Sequence, residues 1–485
     1  MSRIITAALV LAGLACAAML SLPAGWTSSG SSCPAGAIAI GPDENIQGAV
    51  SNAGEGAKFC LSAGIYRLQE VTPKNGQAFF GQDGTILSGA REIKKFHRDG
   101  SLWVASDQTQ KNKSGGSCAK DSPTCNLPDA FFIDDKPLRR VLGRKEVSAG
   151  RFYLDQAKGL LYFADNPHGH KIEATAARFA FFGNASNVHI EHVIVEKYSN
   201  PAQFGAINGS AGRDWHIEHV ESRLNSGAGI SVGSGGQILG SNAHHNGQIG
   251  LRIVGDNVHV RATAIWANNT RGFDIAWEAG GLKLTESKNV QLVGNRVHDN
   301  VGTGLWGDIN CRDIVYEDNI IENNTGPGIF HEISFAAVIR NNTLRHNARG
   351  ERKWYWNAEI QIAASEHVDV YKNTLTVSPG GGAIILIDQG RAAEGTWTKR
   401  YKTQNNHVHQ NVITFEGSGH TGGASDRFPL NANFDIIENG KNRFDGNIYR
   451  VRGQDSIVFP WGHDRLSWDD FRNKGQEQAG QLKRY

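Results

Sequence analysis

The stretch that decides the fold reads NRVHDNVGTGLWGDI from Asn295, NIIENNTGPGIFHEI from Asn319 and NTLRHNARG from Asn342. These leading asparagines are 24 and 23 residues apart, and a second asparagine follows each of them five residues later. A repeat of this length, with several short β-branched runs and no helical period, is typical of one coil of a solenoid. The sequence therefore predicts an all-β protein, a right-handed parallel β-helix in which the asparagines stack from coil to coil.

The repeat weakens on both sides of this stretch, and between 92 and 172 it is lost. There GRFYLDQAKGLLYFAD alternates as an antiparallel hairpin does. We predict a signal peptide, an N-terminal cap with the first coils, a β-rich insertion, the main β-helix, and a C-terminal capping segment with a short helix capped by Ser467. The ranges predicted for these five parts are 1–25, 26–91, 92–172, 173–455 and 456–485.

The chain resembles the pectin-lyase-like superfamily of β-helical proteins that act on polysaccharides. The resemblance rests on the coil template and on the opening IQGAVSNAGEGAKFCLSAGIYRL…GTILSG, and it covers most of residues 35–455. It implies the β-helix fold and a polysaccharide or oligosaccharide as substrate. The NTD, DD, GHG and RIK motif set of polygalacturonases and the DPHD motif of mannuronan epimerases are absent, so the resemblance implies no particular activity.

Composition and charge exclude several classes of protein. The 58 glycines among 485 residues follow no G-x-y period, which excludes collagen. With 11 Trp, 10 Tyr and 21 Phe, the chain has too much apolar area for a disordered protein. Because 50 Lys and Arg balance 48 Asp and Glu without any basic block, we predict no nucleic-acid partner.

The first 25 residues have the pattern of a secretory signal peptide. Arg3 precedes the apolar run IITAALVLAGLACAAMLSL, and Pro-Ala-Gly follows it. A retained membrane anchor is the alternative interpretation. No later run approaches 18 consecutive apolar residues, so we predict no membrane span after removal of the signal. The expected location is secreted or periplasmic.

Cysteine usage agrees with an oxidising compartment. Cys118 and Cys125 close the polar loop CAKDSPTC, and Cys33 and Cys60 flank the first coil, so both pairs are predicted disulfides. Cys311 is left over and is predicted to be a buried free thiol. The chain has no C-x2-C motif and no histidines at the usual ligand spacing, so no zinc site is predicted.

Aligning the coils predicts a face that carries chemistry. In the runs GISVG, GLRIV, GFDIA, GLWGD and GIFHE, strand alternation points the second position inward and the third outward. The outward row then contains Ser231, Arg252, Asp274, Trp306 and Phe330. Two residues further on, Asp308 and Glu332 lie on adjacent coils about 4.8 Å apart. Like charges at this distance repel, so the pair indicates catalysis or a bound cation unless it is only a solvated surface.

We assign expected roles to this face. Asp308 and Glu332 are the predicted acid and nucleophile or base of a glycosidase, and Lys283 is a third catalytic candidate. Trp306 and Phe330 either stack against a sugar or cover the base of a neighbouring insertion. The other predicted substrate-binding residues are Arg252, Asp274, Glu278 and His331, although His331 also falls at an inward position typical of a core histidine.

Three functions remain open at this point. The first is polysaccharide hydrolysis by two carboxylates, which requires no cofactor. The second is a polysaccharide lyase that removes a proton from a uronate. In that case Lys283, Arg252 or His331 would be the base, and Asp274, Asp308 and Glu332 would hold Ca²⁺. The third is a non-catalytic glycan-binding protein of the cell surface, for which an outer face without ionisable clusters is expected.

Overall fold

A computed structural model describes residues 33–108, 115–350, 354–395, 397–426, 435–454 and 456–485. The predicted signal peptide at 1–25 lies outside these residues. Within them, no helix is both long and apolar enough to cross a membrane. Helices are few and short in this part of the chain: Ile46–Asn52 (α1), Ile436–Asn439 (α2) and Trp468–Asn473 (α3), with a 3-10 turn at Arg144–Glu146.

Three long sheets of stacked, almost entirely parallel strands form the body of the protein, which confirms the predicted parallel β-helix. The first sheet contains Ile38–Ile40, Lys58–Leu61, Ala78–Gly81, His189–Glu191, His216–Glu218, Gln237–Leu239, His259–Arg261, Lys288–Val293, Arg312–Glu317, Ala337–Arg340, Val368–Tyr371, His407–His409 and Arg443–Asp445. The second sheet contains Gly64–Arg67, Thr85–Ser88, Ile194–Glu196, Glu221–Arg223, Asn242–His244, Ala264–Trp266, Arg296–His298, Ile320–Glu322, Thr343–Arg345, Thr374–Val377, Val412–Phe415, Ile448–Val451 and Gln481–Arg484. The third contains Phe181–Phe182, Gly205–Gly209, Ala228–Val232, Ile249–Val254, Gly280–Thr285, Thr303–Asp308, Ile329–Glu332, Ala358–Ala363, Gly382–Asp388, Gly419–Ser425, Ile457–Gly462 and Asp464–Leu466, the last of these antiparallel to its neighbour.

The core is a stack of aliphatic side chains inside the coils. In the third sheet, Leu251, Leu282, Leu305 and Ile329 are in register on successive strands, and each is at most 1% exposed. Each buried aliphatic side chain contributes roughly 1.5–3 kcal/mol to folding. Because every coil offers the same inward row to the next one, burial continues along the whole solenoid.

The predicted asparagine stack is confirmed, and most of it forms two long ladders. One follows the turn between the first and second sheets, and the other follows the turn between the second and third sheets. In the second ladder, Asn300 donates from its backbone and its side-chain amide to Asn324 Oδ1, at 3.1 and 2.9 Å. The first ladder contains Asn295, Asn319, Asn342, Asn373, Asn411 and Asn447, and the second contains Asn225, Asn246, Asn268, Asn300, Asn324 and Asn347.

Both ladders end on a buried glutamate. Asn347 donates from its backbone and side chain to Glu359, at 2.9 and 2.6 Å, and Asn447 does the same to Glu477, at 3.1 and 2.6 Å. Burial raises the pKa of Glu359 to about 8 and also raises the pKa of Glu477, although the amide donors oppose this change in both cases. The carboxyl groups satisfy donors that would otherwise have no acceptor at the ladder ends.

The β-rich insertion begins and ends with paired strands at Ala90–Glu92 and Ile172–Thr175. Its remaining strands are His97–Asp99, Leu102–Ala105, Phe131–Ile133, Lys136–Pro137, Arg139–Arg140, Arg151–Asp155 and Leu160–Phe163. The hairpin seen in the sequence is Arg151–Asp155 against Leu160–Phe163, and it is antiparallel as predicted. The coils stack directly across the insertion, because Ala78–Phe80 pair with His189–Glu191.

Both ends of the solenoid and both predicted disulfides are described. α1 buries Ile46 and Val50 against the first coil, and Asn45 caps it. At the other end α3 buries Phe471, and Ser467 caps it with Asp469 and Asp470 in the first turn, as predicted. Cys33–Cys60 and Cys118–Cys125 are bonded, and Cys311 is free and buried.

Candidate active site

The outer face of the third sheet carries a row of large polar and aromatic side chains. Successive strands place Arg252, Lys283, Trp306 and Phe330 in register. Lys283 therefore occupies the position that the sequence alignment gave to Asp274. That alignment was wrong, because the strand of this coil is Gly280–Thr285 and not GFDIA.

Asp274 lies instead in the loop before that strand. The loop pairs with the insertion: Phe273 forms an antiparallel bridge with Cys118, and the backbone N–H of Asp274 donates to Ser117. The Asp274 carboxylate accepts a hydrogen bond from the backbone of Ala276. The predicted Ca²⁺ set of Asp274, Asp308 and Glu332 is not among the groups of closely spaced ligand atoms in the described residues.

Asp308 and Glu332 end two neighbouring strands of the third sheet. Gly307 pairs with His331, so the next position in this register places Asp308 beside Glu332 on adjacent coils, about 4.8 Å apart along the stack. Asp308 is 7% exposed and Glu332 is 8% exposed. Burial raises the pKa of Asp308, while the ammonium of Lys283 opposes this rise.

Lys283 is a central part of this site. Its Nζ lies 2.8 Å from Asp308 Oδ2 and 3.9 Å from Glu278 Oε2, and it donates to the backbone carbonyl of Trp277. The same ammonium lies 3.8 Å from the centre of the Trp306 ring, which makes a cation–π contact. The ammonium is thus held by a carboxylate and an aromatic face, and only 5% of the side chain is exposed.

Glu278 and Arg252 complete this end of the cluster. Glu278 is buried, and its Oε1 lies 3.2 Å from Arg252 Nε. Gln203 donates to its other oxygen at 2.7 Å. Arg252 and Glu278 were both predicted from the sequence to bind substrate. The structure joins them to Lys283 in one network of charged groups.

Arg391 was missed by the sequence analysis. Its Nη1 lies 3.3 Å from Glu332 Oε1, and its other terminal nitrogen contacts Glu394. It belongs to a long loop after the strand Gly382–Asp388, outside the repeat. The ladder spacing grows to 38 residues between Asn373 and Asn411, and this was the available signal that extra chain joins the site here.

Trp306 and Phe330 point out of the coil but are covered. Both are 4% exposed, and their rings stack on each other with centroids 5.5 Å apart. Tyr355 and Trp356, from a loop before the next strand, pack against them. Lys283 also contacts the Trp306 ring, so neither ring has the free face that stacking against a sugar requires. Of the two predicted roles, the structure favours packing against a neighbouring insertion.

His331 lies in the core and not at the site. It is fully buried, its Nε2 is 2.7 Å from the carbonyl of Phe335, and its Nδ1 is 3.3 Å from the hydroxyl of Tyr316. Burial lowers its pKa to about 4. The predicted role of His331 in substrate binding is therefore corrected to that of a neutral core histidine, since strand alternation points it inward.

A separate cavity of about 360 Å³ lies between the insertion and the β-helix. Arg139, Arg140 and Arg271 line it, whereas Asp308 and Glu332 do not. Arg271 uses its donors on backbone carbonyls of Cys125 and Leu127 and so ties the insertion to the coils. We interpret this cavity as part of the joint between the two.

Comparison with known proteins identifies the architecture. Residues 205–375 match the family described as "Right handed beta helix region". No curated protein sequence matches the chain. The solved structure "The complex structure of XylC with xylose" is 13% identical with a TM-score of 0.66, and the match covers 90% of this chain and 82% of that one. The Azotobacter vinelandii mannuronan C-5 epimerase AlgE4 A-module is 13% identical with a TM-score of 0.50, over 90% of this chain and 91% of that one. At these identities the likeness shows the fold, and the chain is a right-handed parallel β-helix protein.

Proposed function

We propose that the protein is a secreted or periplasmic glycoside hydrolase that cleaves a polysaccharide or oligosaccharide with Asp308 and Glu332 as its two carboxyl groups. The observation that carries this proposal is the pair itself: two nearly buried carboxyl groups at the ends of paired strands on adjacent coils, each beside its own cation. The spacing of adjacent coils suits the separation of about 5–5.5 Å that retaining enzymes use.

The two steps of a retaining hydrolysis account for this arrangement. In the first step one carboxylate attacks the anomeric carbon, the glycosidic C–O bond breaks, and the other carboxyl group donates its proton to the leaving oxygen. In the second step the carboxylate that gave up its proton takes a proton from water. The oxygen of that water attacks the anomeric carbon and displaces the carboxylate that had formed the covalent bond. Lys283 and Arg391 are suited to positioning the carboxyl groups and holding their charge.

The charges around the pair favour a neutral glycan. Three cations, Arg252, Lys283 and Arg391, contact four carboxyl groups in this cluster. Those four are Glu278, Asp308, Glu332 and Glu394. Each of the three cations already contacts a carboxyl group of the protein, so none is left to neutralise the carboxylate of a uronate substrate. This disfavours the lyase alternative. The Nζ of Lys283 is also engaged by Asp308, Glu278 and the carbonyl of Trp277, which disfavours this residue as the base. The XylC structure contains xylose, a neutral sugar, so xylo-oligosaccharides are the first substrates to test.

The location fits this role. The two disulfides are typical of proteins that leave the cytoplasm, and the signal-like segment at the N-terminus predicts export. A soluble glycan outside the cytoplasm is then the accessible substrate. We expect the reaction to need no metal or organic cofactor, because general acid and nucleophilic catalysis by carboxyl groups suffices.

Product analysis on a panel of neutral and uronate-containing glycans tests the proposal. We expect new reducing ends without the ultraviolet absorbance of unsaturated uronates, and NMR of the first product should show a retained anomeric configuration. Reducing ends together with that absorbance would identify a lyase. No product on a broad panel would favour the glycan-binding protein.

Variants connect the activity to this site. Asp308→Asn and Glu332→Gln should abolish most of the product, whereas Glu322→Gln, on the outer face of the second sheet, is the matched control. Lys283→Ala should lower turnover by about 10–100-fold, as loss of a charged hydrogen bond does. If Lys283→Ala is inactive while both carboxyl variants keep full activity, the chemistry belongs to a lysine base and the hydrolase proposal fails.

A further inference from the structure

The same four residues, His-Ile-Glu-His, occur on two neighbouring coils of the first sheet, at 189–192 and at 216–219. The strands pair in register, His189 with His216 and Glu191 with Glu218. The isoleucines between them are fully buried, so the histidines and glutamates at the strand positions point outward. The face lies on a different sheet from Asp308 and Glu332.

These side chains converge on one another. His189 Nε2 lies 2.9 Å from Glu191 Oε2, and His192 Nδ1 lies 2.9 Å from Glu191 Oε1. On the next coil His219 Nε2 is 3.7 Å from Glu218 Oε1. Ligand atoms of His189, Glu191 and Glu218 all lie within 4.8 Å of one another. The rings of His192 and His219 are also adjacent, with centroids 4.9 Å apart.

The β-helix fold does not require histidine and glutamate at these positions. On the preceding coil the corresponding positions hold Ala78 and Phe80, and on the following coil they hold Gln237 and Leu239. The first sheet therefore accepts apolar and amide side chains at the same two rows. The concentration of four histidines and two glutamates on two coils is a local feature that the repeat does not explain.

We propose that this cluster, His189, Glu191 and Glu218 with the flanking His192, His216 and His219, binds a divalent transition-metal ion of the Zn²⁺ class. Imidazole nitrogens together with carboxylate oxygens are ligands that suit Zn²⁺, whereas Ca²⁺ takes oxygen ligands alone. Ligands at roughly 2.0–2.2 Å from one ion are at most about 4.4 Å from each other. The separations here are close to this limit, so small side-chain rotations suffice to close the site.

A further observation supports the site. The side chains are accessible to an ion, because His189 is 28% and Glu218 is 36% exposed. The sequence analysis expected no zinc site because it looked for closely spaced ligands. Here the second half of the set comes from the next coil, 27 residues later.

Calorimetric titration of the chelator-treated protein with Zn²⁺ tests the proposal, with bound metal counted by elemental analysis. We expect at least one ion per chain with micromolar or tighter affinity at pH 7.5. His189→Ala and Glu218→Gln should each weaken binding by at least about 10-fold, a loss typical of damage to a metal site. His259→Gln is the matched control. His259 lies on the same row two coils after His216, and Arg261 stands there in place of the glutamate.

A second cluster, Asp369 with His407 and His409, provides the comparison within the same sheet. Asp369→Asn should leave unchanged the part of the Zn²⁺ titration that the His189 and Glu218 variants weaken. The proposal is overturned if the wild-type protein binds no Zn²⁺ below millimolar concentration, or if Asp369→Asn removes binding while the His189 and Glu218 variants keep it. Far-ultraviolet circular dichroism of each variant separates loss of the site from loss of the fold.

Discussion

The two turns beside the second sheet and the outer face of the third sheet belong to the same coils but are built in opposite ways. Along the turns, one residue type repeats and makes the same hydrogen bonds at each step, as Asn300 does with Asn324. On the outer face every coil differs, and Lys283, Trp306 and Phe330 succeed one another. The regular part fixes the stacking of the coils, and the irregular part is free to carry chemistry.

The contrast extends to the loops. The turns of the ladders are short, whereas the segments next to the third sheet include Trp277–Glu278, Tyr355–Trp356 and Arg391, all of which reach the candidate site. Loops on a rigid scaffold are the usual place for binding and catalytic groups. We therefore expect substitutions in the two regions to separate cleanly into effects on stability and effects on activity.

The largest expected effect is on catalysis. Asp308→Asn and Glu332→Gln should each lower kcat by about 10²–10⁴-fold, because a general acid or nucleophile is lost. Each variant should still fold, but with an earlier midpoint of urea unfolding, because the amide keeps the shape of the carboxyl group and loses the charge that pairs with Lys283 or Arg391. A variant that unfolds much earlier and yet retains its turnover would assign the pair to the scaffold instead.

The next largest effect is on stability. Asn324→Ala removes the acceptor for two donors of Asn300 and the donors to Val297 and Asn347, all of them buried. We expect the free energy of unfolding to fall by about 2–4 kcal/mol, because each unsatisfied buried group costs about 1–3 kcal/mol. Urea denaturation measures the change, and kcat at a permissive temperature should stay close to the wild-type value. A large loss of kcat in the folded variant would contradict the separation of the two regions.

A further effect is expected on the pH dependence of stability. The pKa of Glu359 is raised to about 8 from 4.5. The folded protein therefore holds this proton more tightly than the unfolded chain does, and the resulting stabilisation is present at low pH and lost as the pH rises through about 8. We expect the free energy of unfolding to decrease from pH 5 to pH 8.5.

Glu359→Gln removes the titrating group and should flatten this part of the profile, although the variant is less stable overall because one amide donor of Asn347 loses its acceptor. Urea unfolding at several pH values provides the measurement. Parallel profiles for the wild-type protein and the variant would show that the ladder end does not titrate in this range.

The smallest effect is expected at the edge of the site. Trp354 is 42% exposed, and its ring lies 4.9 Å from Tyr355 and 6.4 Å from Trp356, which contacts Phe330. If it provides the platform for a sugar ring, Trp354→Ala should raise KM by about 2–10-fold with kcat almost unchanged, which corresponds to one aromatic contact. Leu142→Ala, an exposed apolar residue of the insertion, is the control. An unchanged KM for Trp354→Ala would remove this residue from the substrate path.

Most of the fold could be predicted because its determinants repeat. Asn295, Asn319 and Asn342 mark the coils in the sequence, and the same spacing put Asp308 and Glu332 at the ends of two neighbouring strands. The alignment failed at Asp274 because Gly272 stands four residues after Asn268, the spacing that begins a strand in other coils. In the structure Gly272 has φ +75° and belongs to the loop, and the strand starts at Gly280.

The rest of the site depends on contacts that no local pattern records. Arg391 reaches Glu332 from 59 residues further along the chain, and Trp356, in the loop before the strand Ala358–Ala363, packs against Phe330. The burial of Trp306 and Phe330 follows from these loops and not from their own strands. Alternation predicts the direction of a side chain, but it does not predict what lies above it.

The direct pairing of Ala78–Phe80 with His189–Glu191 has a consequence for the order in which the chain folds. The first coils end before residue 90, yet the strand that continues their stack is synthesised roughly one hundred residues later. Until it arrives, one edge of these coils is open, and closing so long a loop is slow compared with adding the next coil. The N-terminal coils should therefore be the last part to reach hydrogen-exchange protection, even though they leave the ribosome first.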